Sequence, residues 1–124
     1  MALSLRLAVP TMGSAGEDSS RSGHFGRCDC FTVFDIEDGK IVGFSEVANP
    51  PHEEGGCLRP VGLLADAKCN AIVVAGMGAR PLMGFQDAGI TVYFDNASSS
   101  VGLAAQAVIE GKAPIMDPSQ ACRH

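Results

Sequence analysis

The pattern of apolar residues along these 124 residues predicts an α/β fold, a three-layer α/β/α sandwich around a mixed five-stranded sheet. Three observations carry this reading. Segments of strand and helix character alternate in the order βββαβαβα. An Asp38-Gly39 pair separates two β-type runs, the signal of a tight antiparallel hairpin. The later strands are joined through helices, which makes those neighbours parallel with right-handed crossovers.

Leu3–Val9 alternates apolar and polar residues and then turns apolar, a first strand expected to stop at Pro10. Thr11–Ser22 is rich in Gly and Ser and carries Glu17, Asp18 and Arg21. Connections of that length in a compact domain are often functional. Phe31–Glu37 and Lys40–Val47 flank the hairpin turn. The first has apolar side chains on both faces, Phe31 and Val33 on one, Phe34 and Ile36 on the other, so the sheet should be covered on both sides. Ala48–Gly56, with two prolines, two acids, His52 and two glycines, is a second long loop. Pro60 suits a first helical turn, and Val61, Leu64, Ala65 and Lys68 follow at helical spacing. Ala71–Ala75 is continuously apolar, as in a buried parallel strand. Gly76-Met77-Gly78 turns into a helix with Pro81 near its start and Gly89 as its stop. Ile90–Phe94 is the last strand. One of Ser98, Ser99 and Ser100 caps a final helix through Val101, Ala104, Ala105, Val108 and Ile109, ended by Gly111. Residues 1–111 thus read as one domain and 112–124, with two prolines, as a flexible tail.

Composition excludes several function classes. A formal net charge of −5 argues against nucleic acid, whose phosphates want a basic face. No run approaches the roughly 18–20 apolar residues of a membrane helix. Met1–Pro10 is too short and too alternating for a signal peptide, so a cytoplasmic monomer is expected. Five cysteines cannot all pair, and none of their spacings is Cys-x-x-Cys, which disfavours zinc-ribbon and thioredoxin readings. Cys69, at a helix end before a strand, reads as a small buried hydrophobe. Cys28, Cys30, Cys57 and Cys122 lie among loop signals, where a ligand role is more credible.

The chemistry concentrates in Ser22–Phe31, where His24, Arg27, Cys28 and Cys30 fall within seven residues. Soft nitrogen and sulfur donors on a glycine-containing turn anchored by a strand suit a soft metal or an iron–sulfur-type cluster. Each has an ordinary alternative: His24 as a hydrogen-bonded loop residue, Arg27 as a solvated cation, either thiol as a small buried side chain. Cys28 and Cys30, one residue apart, would share a face of an extended chain and could grip one cluster edge. A guanidinium at Arg27 would stabilise an anionic cluster. Gly76-Met77-Gly78 resembles half a dinucleotide fingerprint but lacks its third glycine, Pro81 taking the place. Its backbone N–H groups, at a helix start, could still attract an anion, or the glycines could serve only a tight turn. His52 and Cys57, Glu53 and Glu54, and Cys122 and His124 read as ordinary loop or terminal residues unless a metal draws them in. Hydrolysis is poorly supported. Two-metal nuclease chemistry needs an acid on the first strand, which offers Ser4 and Arg6 instead.

His24-Phe25-Gly26-Arg27, the aromatic strand after it, Asn49-Pro50, Gly55-Gly56, Ala71–Gly78 and Ala88–Tyr93 together resemble the nitrogenase-cofactor biosynthesis proteins of the NifX and NafY type and the C-terminal region of NifB. The resemblance covers roughly residues 4–111. It implies a ribonuclease H-like topology with strand order 3-2-1-4-5. It also implies binding or carriage of an iron–molybdenum or other metal–sulfur cluster, with His24 as the position that meets the metal. On that footing His24, Cys28 and Cys30 are the candidate metal contacts, and Arg27 with Gly76, Met77 and Gly78 the cluster-binding surround. The partners would be donor or acceptor proteins of cofactor assembly, and the protein is expected not to be an enzyme. The alternative is a thiol-based redox-sensing or regulatory module without a cluster.

Overall fold

A computed structural model describes residues 4–16, 18–21, 28–48, 59–76, 79–95 and 97–116. Its elements are β1 (Leu5–Thr11), β2 (Cys30–Glu37), β3 (Lys40–Ala48), α1 (Arg59–Asp66), β4 (Ala71–Val74), α2 (Ala79–Asp87), β5 (Thr91–Phe94) and α3 (Val101–Ile109). They form one five-stranded sheet in the order β3-β2-β1-β4-β5, the order the resemblance implies. β2 is antiparallel to both β1 and β3, whereas β1, β4 and β5 run parallel. The mixed α/β sheet read from the sequence is therefore present.

The local signals act as expected. Asp38 and Gly39 both adopt positive φ, 54° and 74°, the geometry a two-residue hairpin turn demands. Ser100 caps α3, its side chain accepting from the Leu103 N–H at 3.2 Å. The two faces of β2 separate two cores. Phe31 and Val33 pack with Leu64 of α1 and Leu82 and Phe85 of α2. Phe34 and Ile36 pack with Val101, Ala104, Ala105 and Val108 of α3. Helices thus cover both sides of the sheet.

Two expectations are corrected. Pro10 does not stop β1, which continues to Thr11 with Pro10 opposite Phe31. Pairing with β4 involves only Leu7 and Ala8. Beyond them that flank of β1 has no ladder to complete, and a residue without an N–H is tolerated. The segment after Gly111 is also docked at least as far as Met116. Phe94 N–H donates to the Pro114 carbonyl at 2.8 Å and Met116 N–H to the Val92 carbonyl at 2.7 Å, while Ile115 bridges Tyr93. Ala113 and Met116 bury their side chains, one in each core. This strap closes the outer edge of β5, which would otherwise offer unpaired backbone groups. Residues 117–124, with Cys122 and His124, and the loop with His52 and Cys57 lie outside the described residues.

Candidate functional site

Because β1, β4 and β5 are parallel, their carboxyl ends at Thr11, Val74 and Phe94 open on one edge of the sheet, where ligands of open α/β sheets gather. β2 starts at the same edge, with Cys30 opposite Thr11. The segments leaving this edge are tied to one another by backbone hydrogen bonds. Met12 N–H donates to the Ser20 carbonyl (2.9 Å), Arg21 N–H to Ser99 (3.1 Å), Val101 N–H to Ser19 (2.9 Å) and Asp95 N–H to Val74 (2.9 Å). The long Gly- and Ser-rich loop is therefore folded back onto the start of α3.

Cys30 is 3 % exposed and its thiol donates to the Gly13 carbonyl at 3.3 Å. Burial, reinforced by Glu46, Cys28 and Asp29, pushes its pKa up to about 11. Cys28 is equally buried but packs into the core that holds Phe31, Leu64, Phe85 and Met116. Cys30 belongs to the other side, in line with Thr32 and paired with Thr11, whose hydroxyls meet at 2.8 Å. The shared face expected for the two thiols is not formed. Residues i and i+2 share a face only within a strand, and β2 begins at Cys30. Asp29 bends the chain, its N–H donating to the Thr11 carbonyl (3.0 Å) and its carboxylate accepting from Gly13 N–H (2.7 Å). The two sulfurs flank the end of the strand, close enough for Cys28 to contribute to the rise in the Cys30 pKa.

Gly76 follows β4 at the same edge, half-buried. His24, Arg27, Met77 and Gly78 lie outside the described residues. Among the described residues no three His, Cys, Asp or Glu side chains gather as a metal site.

One residue of this edge was not singled out from the sequence. Arg21 pairs with Asp95, Nη1 lying 3.2 Å from Oδ2 and 3.3 Å from the Ser98 carbonyl, with the Arg21 side chain only 3 % exposed. Its Nε and Nη2 are buried and have no hydrogen-bond partner among the described residues. Burial lowers its pKa despite the opposing pull of Asp95. For Asp95 the balance is reversed: burial works upward, but hydrogen bonds from Ser98 and Ala97 and the Arg21 charge bring it below the usual range. In the sequence Arg21 is one charge in a polar loop, and its partner is 74 residues away.

An open mixed sheet with cysteines, a turn glycine and a buried cation at one edge defines a small α/β domain. Comparison with known proteins narrows the class. Residues 6–111 match the dinitrogenase iron-molybdenum cofactor family, and the chain belongs to that family. It is 29 % identical over 110 residues to the uncharacterized protein MJ0580 of Methanocaldococcus jannaschii, covering 87 % of this chain and 88 % of the relative. The apo form of the orange protein from Desulfovibrio gigas superposes with a TM-score of 0.78 at 25 % identity, covering 94 % of this chain and 96 % of that one. The protein PH0822 superposes with a TM-score of 0.75 at 27 % identity, over 90 % and 96 % of the two chains. The NifX-like family read from the sequence is thus the family found.

Proposed function

We propose that this protein is a non-catalytic carrier or storage site for a molybdenum–iron–sulfur or related metal–sulfur cluster, acting as a cytoplasmic monomer that exchanges its cargo with cofactor-assembly proteins. The observation that carries the reading is the family match, whose span of residues 6–111 includes Arg21, Cys28, Cys30, Gly76 and Asp95 at the candidate edge. His24 and Cys28 are proposed as primary metal contacts and Cys30 as a supporting one. Arg27, Gly76, Met77 and Gly78 are proposed to surround the cluster's negative charge. A cluster held by both thiols would have to straddle the start of β2. The ribonuclease H-like description of the topology belongs to the same reading. Raised pKa values at Cys30 and Cys69, each about 11, weigh against reversible thiol oxidation, which proceeds through the thiolate.

Anaerobic purification or reconstitution, followed by metal and sulfide analysis and an absorption spectrum, tests the proposal. Stoichiometric uptake of metal with sulfide is expected. In a His24→Ala, Cys28→Ala double variant, affinity should fall by at least about 10–100-fold, the usual cost of losing a ligand or its support. No uptake by the wild-type protein would refute the carrier role. Unchanged uptake by the double variant would remove this loop from the site.

A further inference from the structure

We propose that Arg21 is an anion receptor, its Nε and Nη2 edge taking two acceptor atoms of a compact dianion of the tetrahedral oxo- or thiometallate class. The proposal deepens the carrier reading and rests on it only for the identity of the natural anion. Its basis is a bond count that does not close. A guanidinium carries five N–H donors in a rigid fork. Asp95 and the Ser98 carbonyl both engage Nη1, leaving Nε and Nη2 shut from solvent and unbonded among the described residues. Buried donors are nearly always satisfied, and a charged one left unmet is costly. Nε and Nη2 present two parallel N–H bonds along one edge of the guanidinium plane, the geometry that grips paired oxygens or sulfurs.

The surroundings favour a guest with negative charge. Asp95 is occupied as well: Ala97 N–H donates to its Oδ1 at 3.1 Å, so its carboxylate is fixed as the anchor of Nη1. Arg21 N–H donates to the Ser99 carbonyl, one residue before the cap of α3, and the positive end of that helix dipole lies alongside. Asp95 does not fully offset the burial of the cation, as the lowered Arg21 pKa records. Thr11, bridged to Arg21, is the partner of Cys30 across β1 and β2, so receptor and thiol occupy one sheet edge.

The test titrates the full chain at low ionic strength with molybdate, tetrathiomolybdate and sulfate, by calorimetry and thermal midpoint, with chloride as control. Wild-type protein is expected to bind at least one of the three dianions and to gain thermal stability from it. Arg21→Lys keeps a cation beside Asp95 but lacks the fork, and should bind about 10–100-fold more weakly, the worth of a charge-assisted hydrogen-bonded contact. Preference for tetrathiomolybdate identifies a sulfur-rich guest, and equal binding of all three a general dianion receptor. Where the variant folds poorly, the Nε–H resonance of Arg21 in the wild-type protein decides the matter, since it must move on anion addition. Absence of binding by all three dianions, undiminished binding by Arg21→Lys, or an unmoved Nε–H resonance would overturn the proposal. Dianion binding that survives in a protein unable to take up a cluster would leave the receptor standing and the carrier role refuted.

Discussion

If Cys30 contributes a thiolate to the bound metal, its burial sets a pH dependence that can be measured. An unperturbed thiol would titrate at 9.0, but burial holds Cys30 at about 11. At pH 7 that leaves about one molecule in ten thousand with a Cys30 thiolate, against about one in a hundred for the unshifted group. Metal binding must then expel this proton, so affinity through Cys30 should rise about tenfold per pH unit up to its pKa. Titration with a soft-metal probe such as cadmium(II), followed through thiolate-to-metal absorption between pH 6 and 8.5, gives the slope. Cys30→Ala should lower the number of protons released by about one. An identical slope in that variant would refute a ligand role for Cys30. The free protein supplies an independent check with a definite sign. Folding raises this pKa, so the native state holds the proton more tightly. The resulting stabilisation is complete below pH 9 and is lost as pH rises through about 11. Cys69, also held at about 11, loses its contribution in the same window, so Cys30→Ala should reduce the alkaline loss without abolishing it.

Two further substitutions test the packing beneath the site. Cys28→Ala should destabilise the metal-free protein by about 1 kcal/mol, because it removes one methylene-sized atom from a core position 3 % exposed. An unchanged urea midpoint would show that the thiol is not packed against Phe31 and Leu64. Met116→Ala should cost about 2 kcal/mol, the lower end for truncating a buried methionine, read from the thermal midpoint. A wild-type midpoint would mean that the strap along β5 does not hold.

Much of the fold was legible because its signals are local. Asp38-Gly39 needs only its own φ angles to turn the chain, Ser100 caps the helix that starts one residue later, and the alternation in β2 assigns Phe31 and Phe34 to opposite cores. The errors arose where a residue's fate depends on distant partners. Pro10 is tolerated because β4 stops pairing at Ala8, which residue 10 alone cannot reveal. The Lys112–Met116 segment has tail-like composition, yet β5 offers it an open edge and a hydrophobic seat for Met116. At the candidate site, the cysteine spacing was plain, but the bend at Asp29 that sends the two sulfurs to opposite faces depends on bonds to Thr11 and Gly13. Arg21 was the hardest to see. Its significance lies in two donors that lack partners among the described residues, and only the packing around it shows that.

The way the edge is constructed bears on how it could work. The loop from Met12 to Arg21 is shaped by bonds to Ser99, Val101 and Asp29 and by the Glu46 carboxylate, which accepts from Ala15 N–H at 3.0 Å. None of these involves a metal, so folding has already met the entropic cost of ordering that stretch. Cargo that settles here gains affinity through preorganisation and need not hold the domain together. Both cores lie against the faces of the sheet, under α1 and α2 on one side and α3 on the other. In the proposed carrier role, loading and release at the edge would not require repacking of either core. Cys28 is the exception, since it belongs to one of those cores while standing next to the edge. A metal that draws Cys28 out must break its core packing, whereas one that binds through Cys30 must expel its proton and break its hydrogen bond to the Gly13 carbonyl.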